Sequence, residues 1–120
     1  MQLTNGDTSE YKMRKLQLKD MKDGWFIGNF KPSILKTENF EVAYVKHIKD
    51  QFWEKHFHKH ATEITLIIRG KIKINDEIFN EGDIFLIEPM EVADPIFLED
   101  SEVIVIKTPS DLNDKYTIKR

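Results

Sequence analysis

Apolar and polar positions in this 120-residue chain alternate in short bursts, each broken off by turn-forming residues. Phe40 to Ile48 is rich in β-branched and aromatic residues and reads as a strand. Lys49-Asp50-Gln51 supplies a turn, and Phe52 to His60 and Glu63 to Arg69 follow as extended pieces with a kink at Ala61-Thr62. After Gly70, Lys71 to Ile74 alternates charged with apolar residues, and Asn75-Asp76 has the composition of a tight hairpin turn into Glu77-Ile78-Phe79. Asn80-Glu81-Gly82-Asp83 forms the next turn. Ile84 to Ile87 is apolar throughout and is broken by Pro89. Ile96 to Leu98 follows, and Val103 to Ile106 is a second unbroken apolar run. Pro109 to Asp114 reads as loop, with Tyr116 to Ile118 returning to the sheet. Upstream, residues 1 to about 10 are polar and read as a loose tail. Met13 to Leu18 fits either a short edge strand or one helical turn, and Asp23-Gly24 turns into an aromatic-rich extended segment, Trp25 to Phe30. The division expected is a tail with a possible edge strand over residues 1–24 and a single domain over 25–120.

Short strands separated by Gly, Asn, Asp and Pro, with no pattern for a helix of three turns, predict an all-β antiparallel sandwich or barrel. The unbroken runs add to this. A strand with one solvated face alternates, whereas Ile84–Ile87 and Val103–Ile106 do not, so both of their faces need cover. Ile64, Leu66 and Ile68, on the opposite parity from Glu63, make the same demand. A homodimer packed sheet to sheet is the expected answer.

Composition narrows the function. A hydrophobic fraction of 40% and a charged fraction of 32% describe an ordinary globular domain. The net charge of -3 and scattered lysines leave no electrostatic footprint for nucleic acid. With no cysteine there is neither a disulfide framework nor a thiolate ligand. The N-terminal residues lack the apolar stretch of a signal peptide and no run is long enough to span a bilayer, so a cytoplasmic protein is expected. There is no phosphate-cradling glycine loop and no dinucleotide fingerprint, which points away from a nucleotide cofactor and towards a small-molecule ligand.

The candidate chemistry sits in HFHKHATEITLIIRG, residues 56–70. On an extended strand side chains two apart share a face, so His56, His58 and His60 would converge, with Glu63 close by. Imidazoles and a carboxylate on one patch suit a divalent metal. Other candidates are weaker. Glu88 and Glu91 flank Pro89-Met90 and read either as a solvated turn or as groups that act as general base or orient substrate. Arg69 shares the parity of Glu63 and fits either an anion anchor or a surface residue beside the Gly70 turn. Trp25, Phe26, Phe30, Phe52 and Trp53 are candidates for a pocket wall or for core. His47 reads as a surface residue, and Lys107-Thr108-Pro109 as no more than a strand end.

The spacing H-x-H-x4-E-x6-G, spelled out by His56, His58, Glu63 and Gly70, resembles the first motif of the cupins. A second motif, G-D-x4-P-x-G-x2-H, is partly present. Gly82-Asp83 opens it and Pro89 closes the strand with one extra residue between, so the glycine position falls on Glu91 and the histidine position on Asp94. The segments GWFIGNF and VIVIKTPSDLNDKY also resemble a group of short cupins, small jelly rolls similar to dTDP-sugar epimerases. The resemblance implies a double-stranded β-helix, or jelly-roll barrel. It implies metal positions at His56, His58, Glu63 and Asp94, with either Asp94 or His60 completing the set, and a divalent ion (Fe, Mn, Ni or Zn). Glu63, His60 and Glu91 are the catalytic candidates. The function implied is binding or converting a small polar metabolite, a sugar or a keto or carboxylic acid, by isomerase, epimerase or lyase chemistry. The alternative is a non-catalytic sugar- or metabolite-binding jelly-roll module, metal-loaded or metal-free.

Overall fold

The computed structural model describes residues 12–119; the tail expected at the N-terminus lies outside them. Ten strands follow in order: β1 (Trp25–Ile27), β2 (Glu41–His47), β3 (Lys55–Phe57), β4 (Thr62–Arg69), β5 (Lys71–Ile74), β6 (Glu77–Asn80), β7 (Ile84–Ile87), β8 (Pro95–Phe97), β9 (Ser101–Thr108) and β10 (Tyr116–Ile118). Ahead of β1, Met13 to Leu18 forms no strand, and a single 3-10 turn covers Leu18–Asp20. All strand pairs are antiparallel, in a five-stranded sheet ordered β1-β2-β9-β4-β7, a three-stranded sheet β6-β5-β8 and the pair β10-β3. The core forms where the first two face each other: Ile67 and Val103 from the larger sheet pack with Ile72 and Phe97 from the smaller.

Strand register decides which side chains look inward. Residues directly opposite each other in a ladder share a face, so the pairs Ala43–Val105, Thr65–Val105 and Thr65–Phe85 define one interior row of the five-stranded sheet. Two residues along each strand lies a second row, Glu41–Lys107–Glu63–Ile87. The outer face carries the other parity, and several of its apolar residues are open to solvent, Ile84 at 67%, Leu86 at 49% and Leu66 at 37%. Within a single chain the outward side of the β7 run is therefore uncovered.

Two devices hand the chain between sheets. At the end of β4 the ladder slips between Ile67 and Arg69, so Arg69 faces Glu102 on the outer surface and pairs with it at 3.2 Å. The expected anion anchor at Arg69 is thus turned out of the barrel by the bulge. Gly70, at φ 107°, then bends the chain into β5, and a Cβ there would stand 2.2 Å from Ser101 Oγ. Only glycine fits that turn. The Asn75-Asp76 hairpin joins β5 to β6 as expected, with Asn75 left-handed at φ 57°.

Candidate metal centre

β3 is short and its ladder partner comes from far along the chain. Lys55–Phe57 pairs with Ile118–Tyr116 of β10, and His56 also exchanges two backbone hydrogen bonds with Ala93, at 2.9 and 2.8 Å. The turn after His58 is pinned by Asp114. Its carboxylate accepts the backbone N–H groups of Lys59 (2.7 Å), His60 (2.9 Å) and Ala61 (2.8 Å). The chain is thereby fixed on both sides of His58 before β4 delivers Glu63. From the other side, Met90 N–H donates to the His58 carbonyl at 2.6 Å.

His56, His58 and Glu63 meet as a result. One ligand atom from each lies within 4.8 Å of the other two, with both histidines buried. The Nδ1–H of His56 donates to the Glu54 carbonyl at 2.8 Å, which leaves Nε2 with its lone pair free to ligate. His58 Nε2 is buried with no hydrogen-bond partner among the described residues, a costly state for a polar atom unless something occupies its lone pair. Burial, opposed by the Glu54 carbonyl and the Glu63 charge, holds the His56 pKa below its ordinary value. Burial, followed by the charge on Lys107, pushes His58 down to about 4. Both imidazoles are thus neutral at pH 7, the form a metal requires. Metal–ligand bonds of about 2.1 Å need donors about 3 to 4 Å apart, so modest side-chain rotations would close this cluster around an ion. The donor set fits a divalent cation.

The remaining sequence candidates fall elsewhere. Ala93 takes the inward position opposite His56, and Asp94, the next residue, has the opposite parity. Asp94 is outside the cluster, and its backbone pairs with Asn75 at 3.0 and 3.3 Å. His60 is exposed beyond the end of β3, its backbone N–H held by Asp114 while its imidazole is away from the other two. Glu91 is exposed too, and its carboxylate caps its own turn by accepting the Glu88 N–H at 2.9 Å. His47, read as a surface residue, is buried instead, stacked on Phe97 at 4.0 Å with burial lowering its pKa.

A cavity of about 890 Å³ runs along the inner face of the larger sheet. His56 and Glu63 line it together with Lys107, Lys115, Trp25 and Trp53. Lys107, read from sequence as a strand end, points inward between two carboxylates and lies 3.8 Å from Glu41. Glu41 also accepts the Ser110 hydroxyl at 2.9 Å, and burial raises its pKa despite that bond and the lysine. The Lys107 ammonium lies 5.0 Å from the Trp25 ring centroid, and that of Lys115 lies 4.9 Å from Trp53. Desolvation and the Lys107 charge push the Lys115 pKa down, against the pull of Glu54 and Glu63. The parity of Lys107 was available in the sequence, since it follows Val103 and Val105 at intervals of two. Nothing local marks Lys115.

No protein-family model and no curated protein matches the chain. Solved structures do. An uncharacterized conserved protein with a double-stranded β-helix domain from Klebsiella pneumoniae superposes over 98% of this chain and 99% of its own, with TM-score 0.66 and 16% identity. An RmlC-like cupin protein from Ralstonia eutropha gives TM-score 0.54 at 16% identity, over 68% of this chain and 57% of that one. This chain has the cupin fold. Oxalate decarboxylase from Bacillus subtilis matches at TM-score 0.59 and 19% identity, over 68% of this chain but only 24% of its own length. Within the cupin fold found here, the first motif forms a compact donor cluster. The second motif's path places alanine, not a fourth donor, beside His56.

Proposed function

We propose that the protein is a metal-dependent cupin that takes a small polar metabolite, a sugar or a keto or carboxylic acid, and converts it by isomerase, epimerase or lyase chemistry. The observation that carries this reading is the His56–His58–Glu63 cluster, two of whose members, His56 and Glu63, line a cavity of about 890 Å³, within the size range of small-molecule sites. A bound divalent ion would supply Lewis acidity to polarise a substrate carbonyl or hydroxyl. Glu63, Lys107 and Lys115 supply the charged groups around the substrate, and Trp25 and Trp53 its apolar walls. Protein purified without a histidine tag and offered Fe, Mn, Ni and Zn should retain about one ion per chain, lost in His56→Ala and His58→Ala. A chain that retains none defeats the metal-dependent reading.

A non-catalytic binding module is the second reading. The positions of His60 and Glu91 favour it, since both acid–base candidates stand outside the donor cluster. Recovery of an unchanged ligand after prolonged incubation with metal-loaded protein would select it.

The functional unit we propose is a homodimer joined through the outer face of the five-stranded sheet. Ile64, Leu66, Ile84, Leu86, Ile104 and Ile106 all have the outward parity there. At about 4.8 Å between strands and 3.3 Å per residue, that face offers about 500 Å² per copy, or about 1,000 Å² in all, the threshold area for a biological interface. Leu86→Lys should convert a dimer to a folded monomer in sedimentation velocity. A wild-type chain that sediments as a monomer at micromolar concentration counts against the dimer.

A further inference from the structure

Four lysines, Lys19, Lys46, Lys107 and Lys115, line the cavity against two carboxylates, Asp23 and Glu63. Glu63 belongs to the donor cluster, and Glu41 is satisfied by the Ser110 hydroxyl and by Lys107 at 3.8 Å. Among the described residues Lys115 is in no ion pair, although Glu54 is near enough to act on it electrostatically. Both ammonium groups lie over tryptophan rings, which hold a cation in place without neutralising it. With a divalent ion in the cluster, the lined space has a net positive charge and low-dielectric walls on two sides. Such a space favours an anionic guest.

We propose that Lys107 and Lys115 form an anion subsite beside the metal cluster, so that the metabolite carries a carboxylate or phosphate group held between the two ammonium ions. The assignment deepens the metal-dependent reading and rests on it. Lys107 reaches the subsite from the end of β9 and Lys115 from the segment just before β10, so the group is gripped from two sides of the cavity. The rest of the guest is left to face the donor cluster.

The test is calorimetric titration of Zn-loaded protein with pyruvate, malonate, inorganic phosphate and glucose, on wild type, Lys115→Gln, Lys115→Glu and Lys107→Gln. At least one anion should bind, glucose should not compete with it, and Lys115→Gln should weaken it about tenfold. Lys115→Glu should abolish it, and metal content should stay at the wild-type value in both. Preference for pyruvate or malonate identifies a carboxylate, and preference for phosphate a phosphate ester. Among the described residues the Lys115 side chain makes no hydrogen bond or ion pair, so its variants decide the matter even if Lys107→Gln, which strips Glu41 of its cation, does not fold. Anion affinity within twofold of wild type in Lys115→Glu overturns the subsite, as does wild-type protein that binds no anion. Metal content measured on the same samples separates this failure from failure of the cluster to hold its ion.

Discussion

Removing the Asp114 carboxylate should unfasten the metal centre from a distance. Asp114 is 3% exposed and accepts three backbone N–H groups from consecutive residues between His58 and β4. A hydrogen bond to a charged acceptor is worth about 1.5–3 kcal/mol, and a buried donor left alone costs about 1–3 kcal/mol. In Asp114→Ala, water can reach the N–H groups of Lys59 and His60, which are exposed residues, but Ala61 is buried and its N–H would be stranded. The expected loss is about 3–5 kcal/mol, a large share of the roughly 5–15 kcal/mol that holds a domain folded. Asp114→Asn keeps an acceptor oxygen and should lose about 1–3 kcal/mol. Urea denaturation measures both. The second readout is metal affinity of the folded Asn variant, which should fall about tenfold, as when groups that orient a ligand are lost. There is also a pH signature. Burial alone would raise the Asp114 pKa, but the three N–H bonds outweigh it and hold it below 3.8. The carboxylate's contribution is then fully present above about pH 4 and lost as pH falls through the lower folded-state value. An Asp114→Ala protein within 1 kcal/mol of wild type, binding metal equally well, would refute the clamp.

Further expectations follow from the same geometry. His58, held down to about 4 from an unfolded value of 6.5, favours unfolding as protons become available. Metal-free protein should lose up to about 3 kcal/mol from this group as pH falls from 7 to 4, a loss absent in His58→Gln, and a flat stability profile would contradict it. Asp94→Ala should leave metal affinity within twofold of wild type by direct titration, because Ala93 holds the inward position, and a tenfold loss would place Asp94 among the ligands after all. Gly70→Ala should destabilise by about 2 kcal/mol or more, since the left-handed backbone and the Ser101 contact act together; a neutral effect in thermal melts would show that the bend can relax.

Much of the fold could be read along the chain, because the elements are defined by local chemistry: alternation, hairpin turns and unbroken apolar runs. The spacing of His56, His58 and Glu63 was equally legible, since a strand and the turn after it preserve order. The local reading is weakest where one residue changes parity. The second motif, with its extra residue before Pro89, aligns Asp94 with a ligand position, whereas the pairing of His56 with Ala93 puts Asp94 on the other parity, and pairing is a long-range fact. A single slipped residue in β4 likewise turned Arg69 outward. His47 was misjudged because its neighbours in sequence are polar, whereas its neighbours in space, Trp53 and Phe97, come from other strands. Lys115 reaches the cavity only because β10 docks beside β3, a juxtaposition no local pattern announces.

That docking also sets an order of events. β3 carries His56, and its strand partner is made about sixty residues later, at Tyr116–Ile118. All three ligands precede the end of β4 in the chain, yet the strand pairing and the Asp114 clamp that position them come from the last stretch of the described residues. Contacts so distant in sequence form late because loop closure must come first. A chain truncated near residue 110 should hold the larger sheet's strands but bind metal poorly, and ion loading should become tight only when the residues after 113 are present. Metal acquisition is thereby tied to the arrival of residues 114–118.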